Sequence, residues 1–379
     1  MTYRRRFLAA AAATLCGVVL AACGGGSTVD DDVSGATGGS AAPLTKVRAG
    51  YVSAIDQIGL PVGLEGGYFE EEGLEVELAQ PFPTGVDALN ALQAGTIDVI
   101  QVGTPIIAAA QKGIDLVLLG NYTGSSTQRS IDETMAVVAG EKSGVTSDPA
   151  SLRGKKVGVS VASINHLYLL GLLKKAGLTA SDVQIVNTAP PDMGVALQTG
   201  GIDAAIIWDP WPIVVTGQVA GSTEVLRGGG YIPFIGYIVT TRQYAQGNPE
   251  VVSKFLTARA TVDQWMRKNP DQAAESATRW LPGTGVDVAK KAMRFNTKQL
   301  DPRFSACNYL ALDTISGLLA EQKTVEAGFD VSKYFMPGPI LSVMSDKPEL
   351  FDDLPAVPQA AAIGQNFAFD RTAATAACP

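Results

Sequence analysis

The chain has 379 residues, of which 46% are hydrophobic and 17% charged, and its formal net charge is −8. That balance excludes nucleic acid as a partner, because binding a phosphate backbone draws on a surplus of lysine and arginine. A single histidine, four cysteines and the lack of any His/Cys cluster with ligand spacing leave little for metal-dependent or nucleophilic catalysis. No metal and no cofactor are expected, and the chain reads as a non-enzyme.

The first residues carry Arg4-Arg5-Arg6 ahead of an apolar run of 16 residues, Phe7 to Ala22. A charged start and an apolar centre are the marks of an export signal. The run is shorter than the roughly 20 residues that a comfortable membrane span takes, so residues 1–22 are expected to be removed. Leu20-Ala21-Ala22-Cys23 resembles the lipobox of bacterial lipoproteins, which implies a lipid on Cys23. Residues 23–43 then form a tether of Gly, Ser, Thr, Ala, Val and Asp, a composition that buries too little apolar surface to fold. A flexible chain of that length reaches about 25 Å, enough to hold a folded body off a membrane. The expected location is the periplasm or cell envelope, anchored by lipid. Arg4 to Leu8 also resembles a twin-arginine export motif, and the export route stays open. In an oxidising compartment Cys307 and Cys378 are expected to pair and staple the C-terminal tail to the body.

The body contains a repeat. Ala91-Leu92-Gln93-Ala94-Gly95-Thr96-Ile97-Asp98 matches Ala196-Leu197-Gln198-Thr199-Gly200-Gly201-Ile202-Asp203 at six of eight positions, at an offset of 105. Each copy ends a helical stretch at glycine and enters an apolar run, Val99–Val102 or Ala204–Ile207, of the kind that forms a buried parallel strand. Val47–Val52 and Lys156–Val161 are strand-like segments upstream of the two copies. A period this long is a whole lobe, since solenoid units run near 20 to 50 residues. Two α/β lobes are therefore expected, each a doubly wound sheet with flanking helices. Lobe 1 takes residues 44–137 plus 237–379, including a helical C-terminal region such as Pro249 to Lys268, and lobe 2 takes 138–236. Met135–Val138 and Gly236–Val239 bracket lobe 2 and are read as the two hinge crossings.

From Val47 to about Lys268 the chain resembles the sulfonate, taurine and nitrate branch of periplasmic substrate-binding proteins. The resemblance rests on Gly67-Tyr68-Phe69-Glu70-Glu71-Glu72-Gly73-Leu74, on Leu152-Arg153-Gly154-Lys155-Lys156-Val157-Gly158-Val159 leading to Ser163-Ile164-Asn165-His166, and on Trp208-Asp209-Pro210-Trp211. It implies the two-lobed type II periplasmic binding fold, a monomer working with an ABC permease, and a small anionic or zwitterionic organic ligand such as a sulfonate. Nitrate and a thiamine-precursor or other heteroaromatic compound are the alternatives. A related pyrimidine-synthesising enzyme group has a cysteine-rich motif that this sequence lacks.

Ligands in open α/β sheets sit beyond the carboxyl ends of the strands, so the cleft residues are sought there. Ser53, Asp56 and Gln57 follow the first strand. Gly103-Thr104-Pro105 opens a helix, with Thr104 as cap and hydroxyl donor. Ser163 and the lone histidine, His166, lie at the matching helix start in lobe 2, where amide groups and the helix dipole attract an anion. Trp208 and Asp209 end a strand; Trp208 would pack on an alkyl part, and Asp209 or Asp56 would receive an amine. Tyr51, Tyr168 and Trp211, with Trp208, would stack on a heteroaromatic ligand.

Overall fold

The apolar runs that end the two repeat copies become fully buried strands, and each sits at the centre of its own sheet. The computed structural model describes residues 43–128 and 131–378. The export signal, Cys23 and all of the tether but Pro43 lie outside the described residues.

Ten strands occur in the order β1 (Thr45–Gly50), β2 (Leu74–Leu78), β3 (Val99–Val102), β4 (Leu116–Thr123), β5 (Met135–Ala139), β6 (Lys156–Val159), β7 (Gln184–Asn187), β8 (Ala204–Trp208), β9 (Thr223–Arg227) and β10 (Gly236–Thr241). They form two five-stranded sheets, β2-β1-β3-β10-β4 and β7-β6-β8-β5-β9. Helices flank both sheets, and the α/β two-lobed architecture expected from the repeat is present. The repeat holds at the level of register. Ala49 and Gly50 of β1 face Val99 and Ile100, while Val157 and Gly158 of β6 face Ala204 and Ala205.

The expected hinges need correction. Met135–Val138 lies in β5 and Gly236–Val239 in β10, and each strand is antiparallel to its neighbours inside a sheet. The crossings are the segments that deliver those strands, described over 124–128 and 131–134 for the first and 228–235 for the second, and the lobe boundary moves with them, so that β5 belongs to lobe 2. A fully buried apolar strand looks the same in sequence whether it begins or ends a lobe. The two crossings are tied together. The Asp132 carboxylate in the first accepts N–H bonds from Gly230 (2.8 Å), Tyr231 (2.7 Å) and Ile232 (3.2 Å) in the second.

The helix Pro249–Lys268 packs on lobe 1, with Phe255 stacked 5.3 Å from Phe69, as the apolar spacing of Val252, Phe255 and Leu256 requires. Cys307 and Cys378 are disulfide-bonded, and a small apolar cluster of Leu310, Ala361 and Ala374 surrounds the bridge. Among the described residues no helix is long and apolar enough to cross a membrane, and no group of His, Cys, Asp and Glu could hold a metal ion.

Candidate functional site

A pocket lies where the two sheets turn their carboxyl ends toward each other. Lobe 1 supplies the turn after β1, with Val52, Ala54, Asp56 and Gln57, and the corner after β3, with Gly103 and Pro105. Tyr122, at the end of β4, forms a wall. From lobe 2 come Ser163, Ile164 and Trp208, and the second crossing adds Phe234 and Ile235.

The turn after β1 is held from several sides. The Gln57 side chain accepts the Val52 N–H at 2.6 Å and donates to the Tyr122 hydroxyl at 2.9 Å, while its carbonyl accepts from the Gln101 amide at 2.8 Å. Tyr122 can lie this close to β10 because residue 236 is glycine; a Cβ there would stand 2.2 Å from the Tyr122 ring. Lobe 2 also grips this turn. The indole N–H groups of Trp208 and Trp211 both donate to the Ser53 carbonyl, at 3.2 and 3.0 Å, and the Ile55 N–H donates to the Asp209 carbonyl at 3.1 Å. Ser53, sought among the cleft residues, thus acts through its backbone carbonyl and is not in the lining.

Asp209 also differs from expectation. It is 1% exposed, and Arg227 donates to its two carboxylate oxygens at 2.8 and 3.1 Å. Burial pushes its carboxyl up, to about 7, against the pull of Arg227. Burial also works against the Arg227 charge, but Glu224 and Asp209 outweigh it and hold the guanidinium above its ordinary value. A two-pronged bond to a guanidinium that stays charged favours the carboxylate form, so we take the pair as ionised. Arg227 further lies 4.4 Å over the Phe295 ring. Asp209 is outside the pocket lining and its charge is already answered.

Asp56 is the opposite case. It lines the pocket, is 5% exposed and has no ion-pair partner among the described residues. Burial pushes its carboxyl up, to about 7, and Asp209 adds to the rise, while its own backbone amide and the Thr123 hydroxyl oppose it.

Ser163 lines the pocket and precedes the twelve-residue helix Ile164–Lys175 without using its side chain as a cap. His166 does not reach the pocket. Its Nδ1 accepts the N–H of Ala162 at 3.2 Å, and Ala162 has a φ of 67°, a left-handed conformation costly for alanine. The imidazole therefore holds a strained turn, and burial lowers its pKa, which favours the neutral ring. Thr104 lies between two lining residues but is 2% exposed, makes no cap, and its hydroxyl has no partner among the described residues. Tyr51 and Tyr168 are outside the lining; they donate to the carbonyls of Trp280 (3.4 Å) and Gly228 (2.5 Å). Trp211 is also outside it, so Trp208 is the one residue of the expected stacking set in the lining.

Sequence reasoning missed Tyr122, Phe234 and Arg227. Tyr122 and Asn121 interrupt an otherwise apolar buried strand, and Phe234 follows Gly228-Gly229-Gly230, which all have positive φ; both were readable signals. Arg227 had none, since its partner lies 18 residues away.

Two α/β lobes joined by two crossings, with a pocket between the carboxyl ends of their strands, define a periplasmic-type two-lobed binding fold. A family model described as NMT1/THI5 like matches residues 54–273, more than half of the chain, and the chain belongs to that family. It is 29% identical over 209 residues to the taurine-binding periplasmic protein of Escherichia coli, a stretch covering 54% of this chain and 61% of that protein. It is 32% identical over 194 residues to a putative aliphatic sulfonates-binding protein of Escherichia coli, covering 51% of this chain and 58% of that protein. The chain thus matches less than two thirds of the length of either relative. A further relative, 26% identical over 240 residues, is the 4-amino-5-hydroxymethyl-2-methylpyrimidine phosphate synthase of Aspergillus parasiticus, with 59% of this chain and 67% of that enzyme covered. Among solved structures, the alkanesulfonate-binding protein SsuA from Xanthomonas axonopodis pv. citri bound to MOPS has a TM-score of 0.69 at 22% identity, covering 78% of this chain and 99% of that one.

Proposed function

We propose that this chain is the substrate-binding component of an ABC importer and captures a small sulfonate-type ligand between its lobes. The observation that carries the reading is the pocket itself, lined by residues of both lobes and flanked by hydrogen bonds between Trp208, Trp211 and Asp209 on one side and the turn after β1 on the other. Ligand held there stabilises the closed arrangement in proportion to its differential affinity for it, and a membrane permease would recognise that form. The two crossings, linked through Asp132, are where closure would be absorbed. Ser163 and the start of its helix would take the anionic end, and Trp208 would pack on the alkyl part. Relatives named for taurine and aliphatic sulfonates support the ligand class.

The protein is proposed to be a monomer that acts outside the inner membrane, exported by its N-terminal signal and anchored by lipid on Cys23. Cys23→Ser is expected to move it from the membrane fraction to the soluble one, and retention in membranes sinks the anchor. The ligand class is tested by calorimetric titration of the purified protein, stripped of carried-over ligand, against taurine, an alkanesulfonate, nitrate, sulfate and a pyrimidine precursor. A sulfonate hit at micromolar affinity or tighter is expected. Binding of the pyrimidine alone overturns the reading and puts Trp208, Tyr122 and Phe234 at the centre of a stacking site.

A further inference from the structure

The pocket holds a carboxyl group that no cation among the described residues answers. None of its lining residues is Lys, Arg or His, and Asp56 is the one acid in the lining. Arg227, the guanidinium beside Asp209, is engaged by Asp209 and Glu224. The groups acting on Asp56 are Asp209 from the turn after β8, the Thr123 hydroxyl from β4, and its own backbone amide; the Tyr122 phenol, also on β4, feels the Asp56 charge in return. No charged side chain of the helix Val286–Asn296, which packs against this turn, contributes to the balance. Every partner that Asp56 has inside the protein is thus neutral or anionic.

A plain alkanesulfonate entering this space sets a second negative charge near the first, in surroundings with little water to screen either. A ligand with an ammonium group at that end supplies the missing counter-charge. We propose that Asp56 is the specificity-determining residue of the cleft and selects a zwitterionic amino-sulfonate, whose ammonium group meets the Asp56 carboxylate while its sulfonate meets Ser163. The proposal rests on the reading of the cleft as a sulfonate site. It assigns the amine to Asp56 and not to Asp209, whose charge Arg227 has taken.

The proposal makes the sign of the pH dependence differ between ligands. An ammonium ligand binds the ionised Asp56, whose carboxyl titrates at about 7, so its affinity rises as pH climbs through that value. A simple sulfonate binds better when Asp56 is protonated, so its affinity falls over the same range. Calorimetry on the full chain with taurine and ethanesulfonate, at about pH 6 and about pH 8, reads both trends without any mutation. Taurine is expected to bind at least about tenfold tighter than ethanesulfonate at the higher pH. Asp56→Asn, checked for folding by circular dichroism, should cost taurine at least about tenfold in affinity and leave ethanesulfonate unchanged or tighter. Opposed pH trends support the proposal even if the variant does not fold. Ethanesulfonate binding as tightly as taurine, parallel pH trends, or equal losses in Asp56→Asn overturn the role of Asp56 and leave the sulfonate reading standing. If neither sulfonate binds, that reading fails and this inference with it.

Discussion

The carboxyl ends of β3 and β8 occupy the same place in the two halves of the repeat, in the same register with their neighbours, yet they do different things. The end of β3 is a bare corner. Gly103 and Pro105 bring backbone to the pocket, and no side chain there makes a charged contact. The end of β8 carries Trp208, Asp209 and Trp211, and the polar side chains of that turn and the Asp209 backbone are partnered: the indoles on Ser53, the Asp209 N–H on Thr134, its carbonyl on Ile55, its carboxylate on Arg227. The two halves share a backbone path, and their side chains divide the work into a floor on one side and a clasp on the other. An aspartate at a strand end is consequently weak evidence for ligand contact until its partners are known.

The comparison breaks most sharply at Arg227. If the end of β8 is a built clasp, Arg227→Met leaves Asp209 buried without its cation, and loss of one partner of a buried pair costs about 3–5 kcal/mol. Urea unfolding should show that loss in the midpoint with an unchanged slope. A loss below about 1 kcal/mol, the level of an exposed pair, means that Asp209 is neutral in the folded protein and the clasp reading is wrong. A smaller effect is expected at Trp211, which donates to Ser53 from outside the pocket lining. Trp211→Phe keeps the apolar ring and removes one hydrogen bond across the cleft, a net of about 1 kcal/mol and so roughly a fivefold weaker apparent affinity. Small-angle scattering should show a more open average shape in the same variant. Unchanged scattering and affinity would show that the two indoles are redundant.

These expectations also mark what was legible beforehand. The fold was legible, because apolar strand runs and the glycines that end the preceding helices repeat at fixed offset, and burial alone turns such runs into strands. The pairing of Cys307 with Cys378 followed from compartment and count. Position alone singled out the turn after β1 and the start of the lobe 2 helix, and Asp56, Gln57 and Ser163 lie in the pocket lining. Orientation was not legible. Ser53 and Thr104 lie next to lining residues, but a single step along a turn reverses the direction of a side chain, and spacing carries no record of which step faces the cleft. Hydrogen bonding was not legible either. Asp209 looks like a free acid until Arg227 arrives from β9, and the two hinge strands look like linkers until they are seen paired on both edges.

His166 gives the finest test of position against partnership. It stands in the first turn of the helix Ile164–Lys175, two residues past Ile164, which does line the pocket, and a lone histidine at a ligand-facing helix start invites a binding role. Its partner argues otherwise. Nδ1 accepts the Ala162 N–H, so the ring carries its proton on Nε2 and fixes a turn that alanine adopts only at a cost. Removing that acceptor in His166→Ala should cost about 1 kcal/mol of stability and leave the dissociation constant within about twofold. Burial lowers its pKa and the ring is outside the pocket lining, so the pH profile of binding in His166→Ala should overlay that of the unmodified protein. A tenfold loss of affinity, or a flattened profile, would make the imidazole a ligand contact and return the start of this helix to the role its sequence suggested.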